Sequence, residues 1–151
     1  MILFALLIGI IAGLRALTAP AAVSWAAHSH GLALEGTWLA FLGYRFTPWI
    51  LSLLALAELI SDQLPGTPSR KVPLQFITRL LMGAVSGGAI GASLAQLWPG
   101  VALGVVGAAI GTYAGAAARA RLALAIGRDL PAALIEDAVA ILGAVAIVTA
   151  L

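Results

Sequence analysis

The chain has 151 residues, 62% of them hydrophobic and 9% charged, with a mean hydropathy of +1.09. A soluble domain carries charge on roughly a quarter of its residues, so this composition excludes one and predicts a single-domain integral membrane protein over residues 1–151. Eight basic residues against six acidic leave a net charge of +2, and there is one lysine, so the high isoelectric point is no nucleic-acid footprint.

The absence of cysteine excludes disulfides, thiolate nucleophiles and cysteine-ligated metals, and leaves the redox compartment open. Two histidines supply little for a metal site. No cofactor and no metal are expected.

A membrane helix needs roughly 20 apolar residues, and on that measure about five runs emerge. The first covers residues 2 to about 27, interrupted by Arg15 and by Pro20, whose missing N–H permits a break. Residues 19–21 (Ala-Pro-Ala) resemble a small-residue cleavage site. The segment lacks a basic n-region and contains Arg15, so an uncleaved first helix is expected.

The second run covers residues 47–63, with Thr47 as N-cap, Pro48 in the first turn and Leu64-Pro65-Gly66 as a stop. Residues 32–46 either extend this helix or form a separate amphipathic piece in the interface. The third run starts at Pro73 and ends before Trp98-Pro99-Gly100; the fourth runs from about 101 to 126, with Gly127 in the left-handed cap. The fifth begins with Asp129 as N-cap and reaches residue 151. Trp25, Trp49 and Trp98 near run ends read as interfacial aromatics, and His28 and His30 as solvated loop residues.

Arg70 and Lys71 lie between runs two and three, and Arg119, Arg121 and Arg128 near the link between four and five. The positive-inside rule then puts the N-terminus and both basic links in the cytoplasm.

Gly83, Gly87 and Gly91 on run three, and Gly107, Gly111 and Gly115 on run four, recur every fourth residue and mirror one another about Pro99. Four-residue spacing keeps them on one helix face, where missing side chains let backbones approach, so an antiparallel glycine-zipper hairpin is expected. The reflection continues to Arg79 and Arg119, which would meet at the cytoplasmic end of the same seam.

Arg15 lies too deep in its run to be an end anchor. Charges within spans cost at least about 2.5 kcal/mol each, so Arg15, Glu58, Asp62, Arg79, Arg119, Glu136 and Asp137 are expected to face protein or water and to find partners. Glu58 and Asp62, one turn apart, share a face. Adjacent Glu136 and Asp137 point about 100° apart toward different neighbours. Two interpretations stay open: an ion-pair network that only fixes helix packing, or a polar cavity that binds an ion or solute and exchanges protons. Catalysis lacks a recognisable nucleophile, phosphate loop or metal spacing, so no catalytic residue is assigned.

Gly13-Leu14-Arg15 with Pro20, the pattern E-x-x-x-D-x-x-P-x-x-P-x-R from Glu58 to Arg70, Arg79 before glycine-rich helices, and Glu136-Asp137 together resemble a family of small bacterial inner-membrane proteins classed only as a domain of unknown function. The resemblance covers nearly the whole chain and implies architecture without a substrate. The expected function is a small permease or channel-like protein for an ion or small polar or anionic solute, oligomeric because about five spans enclose little volume. The alternative is a non-transporting accessory subunit whose charges lock helix packing.

Overall fold

A computed structural model describes residues 1–29, 31–63 and 72–151. The protein is all-α. In chain order the described residues form α1 (Leu3–Leu14), α2 (Thr18–His28), a 3-10 helix (Trp38–Gly43), α3 (Thr47–Ser61), α4 (Pro73–Ser93), α5 (Leu97–Ile126) and α6 (Asp129–Thr149). Three of these, α4, α5 and α6, are long and apolar enough to cross a membrane. At about 1.5 Å per residue neither α1 nor α2 reaches 30 Å alone.

The first apolar run is broken as its sequence permits. Arg15 leaves helical geometry with φ −140° and ψ 115°, and α2 begins three residues later. Pro20 sits in the first turn of α2, where its missing N–H costs nothing. The break is therefore upstream of the proline, at the arginine.

Residues 32–46 do not extend α3 as a continuous helix. They fold back as a loop carrying the 3-10 helix, which packs on α2, and Leu32, Leu34, Leu39 and Leu42 are buried. Ser24 in α2 donates to the Leu42 carbonyl at 2.5 Å, anchoring the loop. Two cap expectations are corrected. Thr47 lies inside α3 with its hydroxyl on the Phe41 carbonyl at 2.8 Å, and Asp129 lies inside α6 with its carboxylate turned to Arg119. Gly127 does take the left-handed cap, φ 78°. His30, Pro65, Pro68, Arg70 and Lys71 lie outside the described residues.

The hairpin of α4 and α5 is antiparallel and glycine-packed, but its register differs from a mirror about Pro99. A Cβ on Gly87 would lie 2.6 Å from the Gly100 oxygen and 2.7 Å from Gly104 Cα, and one on Gly91 would lie 2.7 Å from Gly100 Cα. On Gly83 it would lie 2.6 Å from the Gly104 oxygen. The turn is at residues 94–96, with Ala95 at φ 55°, because Pro99 fits the first turn of α5 rather than ending a helix. Moving the turn shifts the facing set on α5 to Gly100, Gly104 and Ala108.

Gly107 and Gly111 consequently face α1. A Cβ on Gly107 would lie 2.9 Å from Ile10 N, and one on Gly111 2.9 Å from Ile10 C; from the other side, one on Gly13 would lie 2.7 Å from Gly111 Cα. Gly115 is buried on the same helix. Glycines thus seat α1 and α4 on two faces of α5, while α6 packs on α5, α1 and α2. Helix α3 packs against α2 and the 3-10 helix, leaving Trp49, Leu53, Leu56 and Ile60 exposed.

Candidate functional site

The break between α1 and α2 exposes two sets of backbone groups that a continuous helix would pair: the last carbonyls of α1 and the amides at residues 16 and 17. Each is met by a charged side chain from another helix. Arg79 of α4 donates from Nη1 to the carbonyls of Gly13 and Leu14, both at 2.7 Å. Glu58 of α3 accepts from Ala16 N on Oε1 and Leu17 N on Oε2, both at 2.8 Å. A cation therefore sits at the negative end of one half-helix and an anion at the positive end of the next, as the helix dipoles favour.

Arg15 is fully buried beside these ends. Its Nε donates to Asp137 Oδ1 at 2.6 Å, Nη2 lies 2.5 Å from the same oxygen, and Nη1 bonds Asp62. Asp137 Oδ2 also accepts from Gln63 at 3.1 Å. Arg79 Nη2 lies 3.8 Å from Asp62 and 4.0 Å from Glu58, so the shared face expected of these two carboxylates is real and is turned toward the break. Glu136 lies 4.0 Å from Arg15 and 3.7 Å from Arg119. One cluster therefore draws on α1, α3, α4 and α6, with Arg119 of α5 at its edge.

The two cations predicted to meet at one seam take different partners. In the observed register Arg79 is level with Thr112, and both reach the Gly13 carbonyl. Arg119 lies two turns, about 10 Å, further along α5, where its guanidinium forms a fork with Asp129 at 3.0 and 2.6 Å. The Asp129 side chain is 66% exposed. Asp129→Ala is therefore expected to lower the unfolding free energy by no more than about 1 kcal/mol; a larger loss in a thermal unfolding assay would place that pair in the buried network.

Exposure within the cluster is uneven. Arg15 and Arg79 are enclosed, whereas the side chains of Glu58 on α3 and Asp62 at its C-terminal cap retain 13% and 17% exposure. Among the described residues no group of three or more His, Cys, Asp or Glu could hold a metal ion. Sequence reasoning missed Gly100 and Gly104, because it placed the turn at Pro99, and missed Gln63 as a member of the cluster. His28 contacts the Gly43 carbonyl at 3.2 Å. Trp25 stacks edge-on with Trp49 at 5.0 Å, and Tyr113 packs on Phe76. No family model, curated protein or solved structure matches the chain.

Proposed function

We propose that the protein is a bacterial inner-membrane protein with its N-terminus in the cytoplasm, crossing the bilayer about five times, α1 and α2 together making one crossing. In this reading it belongs to the uncharacterised family its motifs resemble. It works as a small permease or channel-like protein, moving an ion or a small polar or anionic solute through the charged cluster. Exposed Leu53, Leu74, Leu124 and Leu142 support a lipid belt, since soluble monomers seldom leave large apolar patches uncovered. The same exposed faces offer contact to further copies in a homo-oligomer.

The observation that carries the transport reading is the broken helix. Opposed half-helix ends, inside an apolar bundle, are the arrangement by which discontinuous helices bind ions and small charged groups. Here Glu58 and Arg79 hold those ends closed. Helix α3 carries the carboxylates that remain partly accessible and has few helix neighbours. Outward movement of α3 would withdraw Glu58 from the amides of residues 16 and 17 and open a polar passage.

Glu58→Gln tests this. The amide keeps one acceptor but turns an NH2 toward a backbone N–H, costing about 1–3 kcal/mol of stability. In reconstituted vesicles supplied with a panel of inorganic ions and small carboxylates, wild-type protein is expected to raise flux of at least one solute, and the variant, its latch on the broken helix weakened, to change that flux at least tenfold while remaining monodisperse. Unaltered flux in the variant, or no flux with the wild type, defeats the transport reading.

One observation favours the accessory-subunit alternative: Arg15 is entirely enclosed and tightly paired. A cluster closed by its own ion pairs needs no solute to explain it, since half-helix ends in lipid require partners whatever the protein does. Absence of flux together with a large loss of stability in Glu58→Gln supports that reading.

A further inference from the structure

A groove of about 330 Å³ runs between α2, α3 and α6, walled by Ala22, Ala55, Leu59 and Ala144. Thr18, in the first turn of α2, is part of its lining. The threonine is 7% exposed, and its hydroxyl is buried without a hydrogen-bond partner. Buried hydroxyls are almost always satisfied, so an orphan at the wall of a groove large enough for a ligand marks a place where something binds. Water could satisfy the hydroxyl, but the apolar walls around it offer a water few partners.

The walls say how a ligand arrives. Leu56, Ile141 and Val145 belong to the groove and are also 53%, 42% and 50% exposed, so it opens onto the apolar surface of the bundle. The occupant therefore enters from the bilayer and has an apolar body. Its polar end lies at the start of α2, where the orphan Thr18 hydroxyl can donate to an acceptor, a role an ammonium cannot fill. Glu58 already lays a carboxylate on the amides of residues 16 and 17, so a second full negative charge is disfavoured there.

We propose that the groove between α2, α3 and α6 binds a single-chain fatty acid in its protonated form, the chain along the groove and the carboxyl accepting a hydrogen bond from Thr18. The site rests on the membrane reading above but not on transport, and its occupancy is measured without flux. It would tether α2 to α3 beside Glu58, the contact through which α3 closes the broken helix.

The test uses full-length protein in phosphatidylcholine nanodiscs with a diazirine-bearing decanoic acid, followed by peptide mapping. Labelling is expected on the facing segments of α2, α3 and α6 and is displaced by unlabelled decanoic acid, with decylamine and decane at least about tenfold weaker competitors. Thr18→Val keeps the shape and removes the orphan hydroxyl, so its unfolding midpoint should be unchanged or raised while labelling falls about threefold to tenfold. Ala22→Phe, which fills the groove, should abolish labelling there. Label spread over the exposed faces of α3 and α6, equal displacement by decylamine, or unchanged labelling of Thr18→Val overturns the proposal. Because Thr18→Val is nearly isosteric, misfolding of Ala22→Phe leaves the test intact.

Discussion

Arg15→Ala is expected to lower the unfolding free energy by about 3–5 kcal/mol, the cost of leaving buried carboxylates without their cation. Arg15 is fully buried and shared between Asp62 and Asp137, whose side chains are 17% and 9% exposed. Its removal strands both. Much of the loss is the penalty on what remains rather than the worth of the pairs, because forming them already required taking three charges out of water. Two companions separate these contributions. Arg15→Lys retains the charge but not the separate Nε and Nη1 donors that reach Asp137 and Asp62 together, so its loss should be intermediate. Arg15→Ala combined with Asp137→Asn should be less destabilised than the sum of the single changes, since the second substitution removes a charge that the first leaves unpaired. Thermal unfolding in a single detergent measures all of these. A loss below about 1 kcal/mol for Arg15→Ala would mean that the cluster is hydrated and its charges are screened.

The sequence made the members of this cluster visible because each charge interrupts an apolar run, and such interruptions have few explanations. It also identified Arg15 and Pro20 as the place where the first run could break. What it did not reveal is that the break itself binds the cluster together. Backbone carbonyls and amides have no sequence signature, so the bonds from Arg79 to residues 13 and 14, and from residues 16 and 17 to Glu58, were invisible until the chain was folded. The glycine series was misread for a different reason. Period alone gives the face of a helix but not its partner, and moving one turn from Pro99 to residues 94–96 exchanged Gly107 and Gly111 for Gly100 and Gly104 as the neighbours of α4. Residues 32–46 were ambiguous because their apolar residues suit a helix extension and an amphipathic interfacial piece equally; the buried leucines and the bond from Ser24 make them a packed loop instead.

Gly104→Leu is expected to prevent accumulation of folded protein. Gly104 is where three helices meet: its added Cβ would overlap the Gly83 carbonyl and lie 3.1 Å from Gly87 Cα, while a Cβ on Gly9 of α1 would lie 2.9 Å from Gly104 Cα. All of these neighbours are backbone, so none can rotate aside. Even Gly104→Ala has a decidable sign. Alanine is favoured over glycine in a helix by about 1 kcal/mol, but forcing a methyl into a filled contact costs typically about 1–3 kcal/mol. Because here the methyl meets main chain that can yield only by separating α4 from α5, the steric cost wins and the variant is less stable. Gly87→Leu should fail similarly, its Cβ falling 2.6 Å from the Gly100 oxygen, whereas at Gly31 the nearest atom, the Ala26 oxygen, is 3.3 Å away and leucine there should leave a folded protein. Size-exclusion profiles and unfolding midpoints of the four variants rank them. A Gly104→Ala protein more stable than wild type would show that α4 and α5 do not approach this closely, and the register that seats Arg79 on the end of α1 would fall with it.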